Sequence, residues 1–262
     1  MNLSLTGKNA LVCGSTQGIG RAIAHELAAL GARVILLARN TSALEETLAS
    51  LPPVGLPHAW LQADLADPEA AQATVQTWME RESAAIHILV NNAGGPPGGP
   101  IVSASLAAFQ AAMDMHLGTS HRLVQTVVPG MRTAGYGRIL NVISTSVRIP
   151  ITGLGVSNTT RGAMASWAKT LANELGADGI TVNNILPGFT ETARLTSLIQ
   201  SRATAAGLSE ADIAREMQLS IPVGRFGTAG EIAAVAAFLA TPAAAYVNGV
   251  SIPVDGGRTG SI

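Results

Sequence analysis

Short apolar runs alternate along the chain with longer segments in which apolar positions recur every three or four residues. The short runs are predicted strands: residues 10–13, 33–38, 58–62, 86–91, 138–144, 180–186 and 250–254. Several are apolar almost throughout, which is typical of parallel strands covered by helices on both faces. The pattern therefore predicts a single α/β domain with a doubly wound, seven-stranded parallel sheet and a ligand site beyond the carboxyl ends of the strands.

The segments between the runs contain recognisable helix starts. Ser42 followed by Glu45, and Thr228 followed by Glu231, have the spacing of a capping box, and Asp67 precedes a proline at the first helical position. These signals support the strand–helix alternation.

One stretch, residues 191–225, interrupts this rhythm with a helical pattern that contains Gly207 and ends near Pro222. We predict that this insertion forms a lid over the substrate.

Composition and charge narrow the class of protein. Of 262 residues, 47% are hydrophobic and 13% are charged, which argues against an intrinsically disordered chain. The net charge of −1 offers no broad attraction to a polyanion, so nucleic acid is not an expected partner. No apolar run is long enough to span a membrane, and residues 1–9 lack the features of a secretion signal. We therefore expect a cytoplasmic protein without a membrane partner.

A glycine-rich turn follows the first predicted strand and leads into a helical segment. It consists of Gly14, Ser15, Thr16, Gln17, Gly18, Ile19 and Gly20. Glycine lets the backbone approach a pyrophosphate, and a helix N-terminus supplies N–H donors and a favourable dipole. The spacing differs from the G-x-G-x-x-G fingerprint. A tight strand-to-helix connection without a ligand is the alternative interpretation, and the position between strand and helix favours a dinucleotide site.

The end of the second predicted strand indicates which dinucleotide binds. An acidic residue at this corner would bond the ribose 2′-hydroxyl of NAD, whereas an arginine suits the 2′-phosphate of NADP. The strand ends in Ala38, Arg39 and Asn40, with no carboxylate at that corner. We therefore predict NADP(H) in preference to NAD(H), with Arg39 on the phosphate. The alternative is that Arg39 only solvates a helix start.

These features, together with the motifs at residues 91–94 and 187–192, resemble the short-chain dehydrogenase/reductase family of single-domain Rossmann oxidoreductases. The resemblance extends over almost the whole chain, so we expect residues 1–262 to form one Rossmann domain. The general resemblance is to β-ketoacyl-carrier-protein-reductase-like members. The resemblance implies further cofactor contacts near the adenine ring, after the fourth strand and over the nicotinamide end. These are Asp64 and Leu65; Asn91, Ala93 and Gly94; and Pro187, Gly188, Thr190 and Thr192.

The catalytic positions depart from the family pattern. Ser144 matches the serine that orients the substrate carbonyl, but Ser157 and Arg161 stand where the resemblance expects a tyrosine and a lysine. His116 stands where it expects an asparagine. Arg161 keeps its charge, so it can stabilise an oxyanion, bind an anionic group or retain the ribose contact. Ser157 can bond a substrate oxygen or organise a water but is a poor proton source.

His116 is the best candidate replacement acid/base because its reference pKa is near 6.5. The alternatives are that it bonds backbone within a helix bend or packs at a subunit contact. For Ser144, the alternative is a strand-end hydroxyl that satisfies backbone. No Cys/His/carboxylate cluster has metal-ligand spacing, so no metal is expected.

The leading hypothesis is an NADP(H)-dependent oxidoreductase that interconverts a carbonyl, 3-oxoacyl-like or another small ketone, and an alcohol. A catalytically silent dinucleotide-binding homologue, acting as a sensor or partner subunit, is the alternative. A lyase or isomerase in which Arg161 and His116 handle an anionic substrate is the third hypothesis. The resemblance also implies a homotetramer, or a homodimer, paired through residues 106–131 and 162–176.

Overall fold

A parallel sheet lies at the centre of the computed structural model, which describes residues 1–260. Its strands are β1 (Asn9–Cys13), β2 (Arg33–Ala38), β3 (Ala59–Gln62), β4 (Ile88–Asn91), β5 (Gly137–Val142), β6 (Ile180–Pro187) and β7 (Ser251–Val254). Their order across the seven-stranded sheet is β3, β2, β1, β4, β5, β6, β7, and every neighbouring pair is parallel. The predicted single-domain Rossmann fold is confirmed.

Helices cover both faces of the sheet. They are α1 (Gly18–Ala29), α2 (Thr41–Ser50), α3 (Pro68–Glu82), α4 (Leu106–Met113), α5 (Thr119–Ala134), α6 (Gly155–Leu175), α7 (Ala193–Ala206), α8 (Glu210–Leu219) and α9 (Ala229–Ala240). On one face α1, α2 and α9 bury aliphatic side chains against the sheet, and α3, α5 and α6 do so on the other. Because the strands are buried on both sides, they read as continuous apolar runs.

Two of the predicted helix starts are confirmed and one is wrong. Thr228 Oγ1 accepts the N–H of Glu231 while the Glu231 carboxylate accepts the N–H of Thr228, which is a complete capping box. Asp67 caps α3 as expected. The box predicted at Ser42 does not exist, because Asn40 caps α2 by accepting the N–H of Ala43 at 3.0 Å. Asparagine is at least as good an N-cap as serine, so the helix starts earlier.

The predicted strand ends are displaced by at most two residues. His58 lies outside β3 because its Nδ1 accepts the N–H of Val34 at 3.0 Å, which uses the ring as a partner for β2. Ile86 precedes β4 and stays buried. Ser144 lies beyond the end of β5, where it begins a short 3-10 turn.

The segment 191–225 consists mainly of α7 and α8, and Gly207 adopts a left-handed φ of 66° at the end of α7. The two helices share an apolar cluster of their own that includes Leu195, Ile213 and Phe226. The ends of the segment are joined by main-chain hydrogen bonds, Glu191 N–H to the Gly227 carbonyl at 2.8 Å and Gly227 N–H to the Phe189 carbonyl at 2.9 Å. The segment is therefore a small helical unit whose ends meet near Gly227 and which also contacts the chain after β7, where the Val223 N–H donates to the Gly256 carbonyl at 3.2 Å.

From β1 the chain adds β2 and β3 on one side of the sheet, and it then crosses back to add β4 on the other side of β1. The carboxyl ends of β1 and β4 therefore define the crevice where open α/β sheets bind ligands. Across residues 1–260, none of the helices combines the length and the apolar character needed to cross a membrane. The cytoplasmic location stays a prediction.

Candidate active site

The glycine turn after β1 is packed too tightly to hold any side chain at Gly20. A Cβ on Gly20 would lie 2.1 Å from the carbonyl oxygen of Gly14, which itself has a φ of +57°. Asn92, which the sequence analysis did not single out, donates from Nδ2 to the carbonyls of Cys13 and Gly14, both at 3.2 Å. The turn is thus held from the side by β4 and its following loop.

The N-terminus of α1 is open toward this turn. Gln17, the N-cap residue, makes no side-chain cap hydrogen bond, so the first N–H groups of the helix are left for a ligand. A close backbone approach combined with free N–H donors fits the pyrophosphate of a dinucleotide. Of the neighbouring residues, Ser15 points elsewhere: it is fully buried and its hydroxyl lies 3.5 Å from the Leu37 carbonyl. Thr16 and Ile19 are half-buried.

The segment after β6 closes this site from the opposite side. The Cγ2 of Thr192 lies 3.1 Å from the position that a Cβ of Gly18 would take, so the start of α7 touches the glycine turn. The Thr192 hydroxyl donates to the Thr190 carbonyl at 3.2 Å, and the Thr190 hydroxyl donates to the Gly188 carbonyl at 3.1 Å. Pro187, the last residue of β6, directly precedes these turns. The predicted nicotinamide-side residues therefore do meet the phosphate-side turn.

The predicted adenine end lies at the carboxyl ends of β2 and β3. Arg39 is 75% exposed at its side chain, and its Nη1 lies 3.7 Å from Oδ2 of Asp64. Asp64 also accepts the N–H of Ala66 at 2.9 Å. The prediction that this corner lacks a carboxylate is wrong, because Asp64, which follows the neighbouring strand β3, lies beside Arg39. Sequence reasoning considered β2 alone and missed a pairing made across two strands.

Two cavities lie beyond the carboxyl ends of β4 and β5. The larger, of about 370 Å³, is bounded by the loop 96–100, by alanines of α4, and by Met115, His116 and Val156, and its lining is mostly apolar. The smaller, of about 10 Å³, is lined by Asn91, His116, Arg161 and neighbouring residues. A volume of this size holds about one water molecule. Met115 and His116 line both cavities and so lie between them.

Arg161 is 8% exposed and reaches the smaller cavity from α6. Its Nη1 donates to the Val142 carbonyl at 2.9 Å and its Nη2 to the Ala93 carbonyl at 3.5 Å, while its Nε has no partner within residues 1–260. Burial, and to a lesser extent the charge of Arg194, lowers the pKa of Arg161 to about 10. The guanidinium stays protonated at neutral pH.

His116 lies in a widened, π-helical turn, Asp114–Gly118, that connects α4 to α5. The ring is 4% exposed, and Nε2 has no hydrogen-bond partner in the part of the chain that the structure describes. Burial, together with the charges of Arg161 and Arg194, lowers the pKa of His116 to about 3, although a hydrogen bond to the Gly94 carbonyl acts in the opposite direction. The imidazole is therefore neutral at neutral pH and offers one donor and one acceptor.

Ser144 and Ser157 lie beside these cavities without lining them. Ser144 Oγ accepts the N–H of Ser146 at 3.1 Å, which leaves the hydroxyl proton free to donate elsewhere. Ser157 is 8% exposed and follows Val156, which lines the larger cavity. Its hydroxyl makes no hydrogen bond with any residue from 1 to 260.

Comparison with known proteins decides the family. The family model described as Enoyl-(Acyl carrier protein) reductase matches residues 14–259. The chain belongs to the short-chain dehydrogenase/reductase family. It is an NAD(P)-dependent oxidoreductase, as its relatives are.

Relatives of this short-chain dehydrogenase/reductase align over nearly their full lengths. The 3-oxoacyl-[acyl-carrier-protein] reductase of Pseudomonas aeruginosa is 35% identical over 256 residues, covering 97% of this chain and 98% of the relative. A tropinone reductase homologue of Arabidopsis thaliana is 32% identical over 256 residues, covering 98% and 91%. The crystal structure of L-sorbose reductase from Gluconobacter frateurii with NADPH and L-sorbose covers 100% of both chains at 31% identity and a TM-score of 0.93.

An actinorhodin polyketide ketoreductase with NADPH covers 97% of this chain and 98% of its own at 28% identity and a TM-score of 0.89. Two of these solved relatives thus hold NADPH.

In this short-chain dehydrogenase/reductase, the tyrosines and lysines lie away from the cavities. The Tyr136 hydroxyl donates to the Ala240 carbonyl, and Tyr246 is fully exposed. Within residues 1–260, neither cavity is lined by a tyrosine or by Lys8 or Lys169. The same part of the chain contains no group of three or more metal-ligating side chains.

A chain of side-chain amides runs across the sheet below the site, and we call it the asparagine ladder: Asn91, Asn141, Asn184 and Ser251. Each amide donates to the next member, at 2.8, 2.9 and 3.0 Å. The members face each other in register on β4 to β7. Sequence reasoning missed the ladder beyond Asn91. The available signal was an asparagine at a matched position in three successive apolar strands.

Proposed function

We propose that this protein is an NADP(H)-dependent short-chain oxidoreductase that interconverts a small ketone, 3-oxoacyl-like or otherwise, and an alcohol. In this proposal Ser157 and Arg161 take the positions where the family carries a tyrosine and a lysine. The observation that carries it is the convergence of Arg161 and His116, each with one unpartnered buried nitrogen, on the cavities beside the dinucleotide turn. Buried polar groups are normally paired, so unpaired ones indicate a site for ligand atoms.

The residues that would hold the dinucleotide lie in four groups. The turn Gly14–Gly20 and the N-terminus of α1 hold the pyrophosphate, Asp64 and Leu65 lie toward the adenine, and the segment from Pro187 to Thr192 lies toward the nicotinamide. Asn91, Ala93, Gly94 and Arg161 border the ribose next to the reacting end. When bound, the dinucleotide supplies or accepts the hydride. The exposed guanidinium of Arg39 favours NADP(H), and the NADPH-bound relatives support that choice.

The substrate oxygen receives hydrogen bonds from groups that are already oriented. The lone pair that Ser144 uses for the Ser146 N–H fixes its Oγ and directs its proton toward the substrate oxygen. Arg161 remains charged and stabilises negative charge that develops nearby, which is worth more in a buried site than in water. Ser157, one turn before Arg161 in the N-terminal part of α6, adds a second hydroxyl.

The proton requires a separate route, because the buried side chains titrate far from neutral pH. We propose that a water in the smaller cavity, bonded to Arg161 Nε and His116 Nε2, delivers it. In this role the neutral His116 donates from one nitrogen to the Gly94 carbonyl and accepts a hydrogen bond from the water at Nε2, which orients the water. The water gives its proton to the substrate oxygen, and bulk water replaces that proton. His116 does not store a proton as an imidazolium, because its low pKa prevents that near neutrality.

The 191–225 segment acts as a substrate lid in this proposal. Its ends are joined to the rest of the fold near Gly227 and Gly256, and Thr192 touches the glycine turn, so a shift of the segment would reach both the substrate side and the cofactor side of the site. We further propose that the chain forms a homotetramer, or a homodimer, through α4, α5 and α6, which expose apolar residues such as Leu106 at 88%. Light scattering after size-exclusion chromatography tests the assembly.

A specific observation also favours the second candidate, a dinucleotide-binding homologue without turnover. The titratable side chains that line the smaller cavity have pKa values of about 12 for Cys13, about 10 for Arg161 and about 3 for His116, so none exchanges protons readily at neutral pH. Such a chain would bind the dinucleotide and transmit its presence, as a sensor or as a partner of an active homologue.

One experiment separates the two candidates. NADPH and NADH are titrated by fluorescence, and a panel of ketones is then screened for loss of nicotinamide absorbance. The same measurements are made on the double variant Ser157→Tyr/Arg161→Lys, with Ser157→Phe/Arg161→Lys as the matched control that lacks the hydroxyl. Oxidation by the parent protein supports the oxidoreductase. Binding by the parent with oxidation only in the Tyr/Lys variant supports the silent homologue, and failure to bind either nucleotide overturns both.

A further inference from the structure

Three successive carbonyl groups after β4 each face a nitrogen-bearing side chain. The Ala93 carbonyl accepts from Arg161 at 3.5 Å, the Gly94 carbonyl faces His116, and the Gly95 carbonyl accepts from Nη1 of Arg194 at 3.3 Å. The three side chains come from α6, from the turn between α4 and α5, and from the first turn of α7. Three separate parts of the fold therefore bring basic groups to one short stretch of backbone.

The Arg194 guanidinium occupies the space that a side chain at Gly95 would fill. A Cβ on Gly95 would lie 2.7 Å from Nη2 and 2.9 Å from Cζ of Arg194, so the guanidinium rests directly against the glycine. The next residues along, 96–100, form one wall of the larger cavity. Arg194 is exposed, and its guanidinium lies against Gly95, next to this wall, so we take it to border the mouth of the cavity with donors available to a ligand.

The positive charge at this mouth has no acidic partner among the described residues. Neither Arg161 nor Arg194 forms an ion pair within residues 1–260, and no Asp or Glu lines either cavity there. The two arginines are near enough to each other and to His116 that their charges depress the pKa values of their neighbours. A ligand that brings a negative charge would relieve this repulsion.

We propose that Arg194 binds an anionic group of the substrate, and that the substrate is a keto acid, or the matching hydroxy acid, with an apolar chain. This inference rests on the proposed oxidoreductase function. The apolar chain occupies the larger cavity against loop 96–100 and α4, the carbonyl lies toward His116 and Ser144, and the carboxylate meets Arg194. Arg194 is then a specificity-determining residue carried by the lid.

The reaction leaves the recognised group unchanged. Reduction adds a hydride to the carbonyl carbon and a proton to its oxygen, and oxidises the bound dinucleotide. The carboxylate gains and loses nothing, so Arg194 contributes uniform binding to substrate and product. Its removal should raise KM for keto acids while kcat changes little.

The same guanidinium could instead serve the pyrophosphate of the cofactor, since Thr192, two residues away, touches Gly18. A carboxylate and a pyrophosphate share the chemistry that an arginine recognises. The contact with Gly95, which adjoins the wall of the larger cavity, favours the substrate. If Arg194 binds the substrate, its replacement weakens the binding of keto acids. If it binds the pyrophosphate, its replacement weakens the binding of NADPH.

The test compares Arg194→Gln with Arg215→Gln, which removes an exposed charge from α8 of the same segment and serves as the matched control. The probes are α-, β- and γ-keto acids with medium apolar chains and the methyl ester of each. Binding is followed by ligand-observed NMR with and without NADPH, and NADPH binding is followed by fluorescence. We expect the parent to bind at least one acid about tenfold or more tighter than its ester.

In Arg194→Gln this acid-to-ester ratio should fall to near one, while NADPH affinity stays within about twofold and Arg215→Gln behaves as the parent. A large loss of NADPH affinity with an unchanged ratio assigns Arg194 to the pyrophosphate and overturns the inference. Equal binding of acid and ester by the parent, or no binding of either, also overturns it. Acid-selective binding without any NADPH binding would uphold the anion site while the oxidoreductase proposal fails.

Discussion

The glycine turn and the pocket around Arg161 lie at the same edge of the sheet but depend on different parts of the chain. In the turn, backbone atoms are so close that a single Cβ at Gly20 would collide with the Gly14 carbonyl. In the pocket, polar side chains are buried with nitrogens left unpartnered. A site defined by backbone geometry tolerates little change, whereas a site defined by side chains can change its chemistry without changing the fold.

The largest effect should come from filling the turn. In Gly20→Ala the new Cβ meets backbone at 2.1 Å and cannot be relieved by a side-chain rotation. A backbone clash of this size puts the overpacking cost at the upper end of the usual range, about 3 kcal/mol. Because the turn can relieve the clash only by moving its N–H donors away from the pyrophosphate, we expect NADPH affinity to fall by a comparable free energy, about 100-fold. The measurement is NADPH fluorescence titration, together with the thermal midpoint.

Gly55→Ala is the control for this variant, because a Cβ there has open space and no positive φ is involved. It should bind NADPH as the parent does. Normal NADPH binding by Gly20→Ala would show that the turn is not the cofactor site.

Removing the buried charge of the pocket should impair catalysis without lowering the stability of the fold. Arg161→Met retains an apolar body but loses the donors to the Val142 and Ala93 carbonyls and the free Nε. We expect kcat to fall by about 10² to 10³, as for loss of an oriented donor at a reacting oxygen. We expect no loss of thermal stability, because a buried cation without an acidic partner pays a desolvation penalty that methionine avoids.

The measurements are ketone reduction rates and thermal unfolding, with Arg161→Lys as the variant that keeps the charge. A variant that loses activity and several degrees of melting temperature together would indicate that Arg161 holds the fold rather than the chemistry.

The same contrast explains what the sequence could predict. Apolar runs and glycine positions report backbone requirements directly, so the seven strands, their parallel arrangement and the turn near Gly20 could be anticipated. Arg161 and His116 were expected to lie near each other from the family register, but their burial and unpartnered atoms depend on contacts between α6 and the π-helical turn. The contact between Arg194 and Gly95 joins residues 99 positions apart, and no local pattern announces it.

A smaller effect should appear in the pH dependence of stability. Because the pKa of His116 is about 3 in the folded protein and near 6.5 when unfolded, only the unfolded chain binds this proton between those values. Stability is therefore full above about pH 7 and falls as the pH drops below 6.5, by roughly 2 kcal/mol at pH 5. Urea unfolding of the parent and of His116→Asn at pH 7.5 and pH 5 measures it.

The informative quantity is the difference between these two proteins, since all the other titratable groups are present in both. The stability advantage of the parent over His116→Asn should shrink by roughly 2 kcal/mol between pH 7.5 and pH 5. A difference that does not change with pH would mean that His116 titrates normally, and it would restore the imidazolium as a proton source.

The smallest effect should come from the exposed rim of the cofactor site. Arg39→Ala should weaken NADPH more than NADH, because only NADPH carries the 2′-phosphate. Since the side chain is 75% exposed and also contacts Asp64, we expect the low end of charge-assisted bonding, about 1–2 kcal/mol.

Asp64→Asn should increase the preference for NADPH, because it removes the carboxylate that competes with the 2′-phosphate for Arg39. Arg81→Ala, in the last turn of α3, is the control for lost surface charge. Fluorescence titrations of both nucleotides decide the matter, and equal affinities for NADPH and NADH in the parent would contradict the role assigned to Arg39.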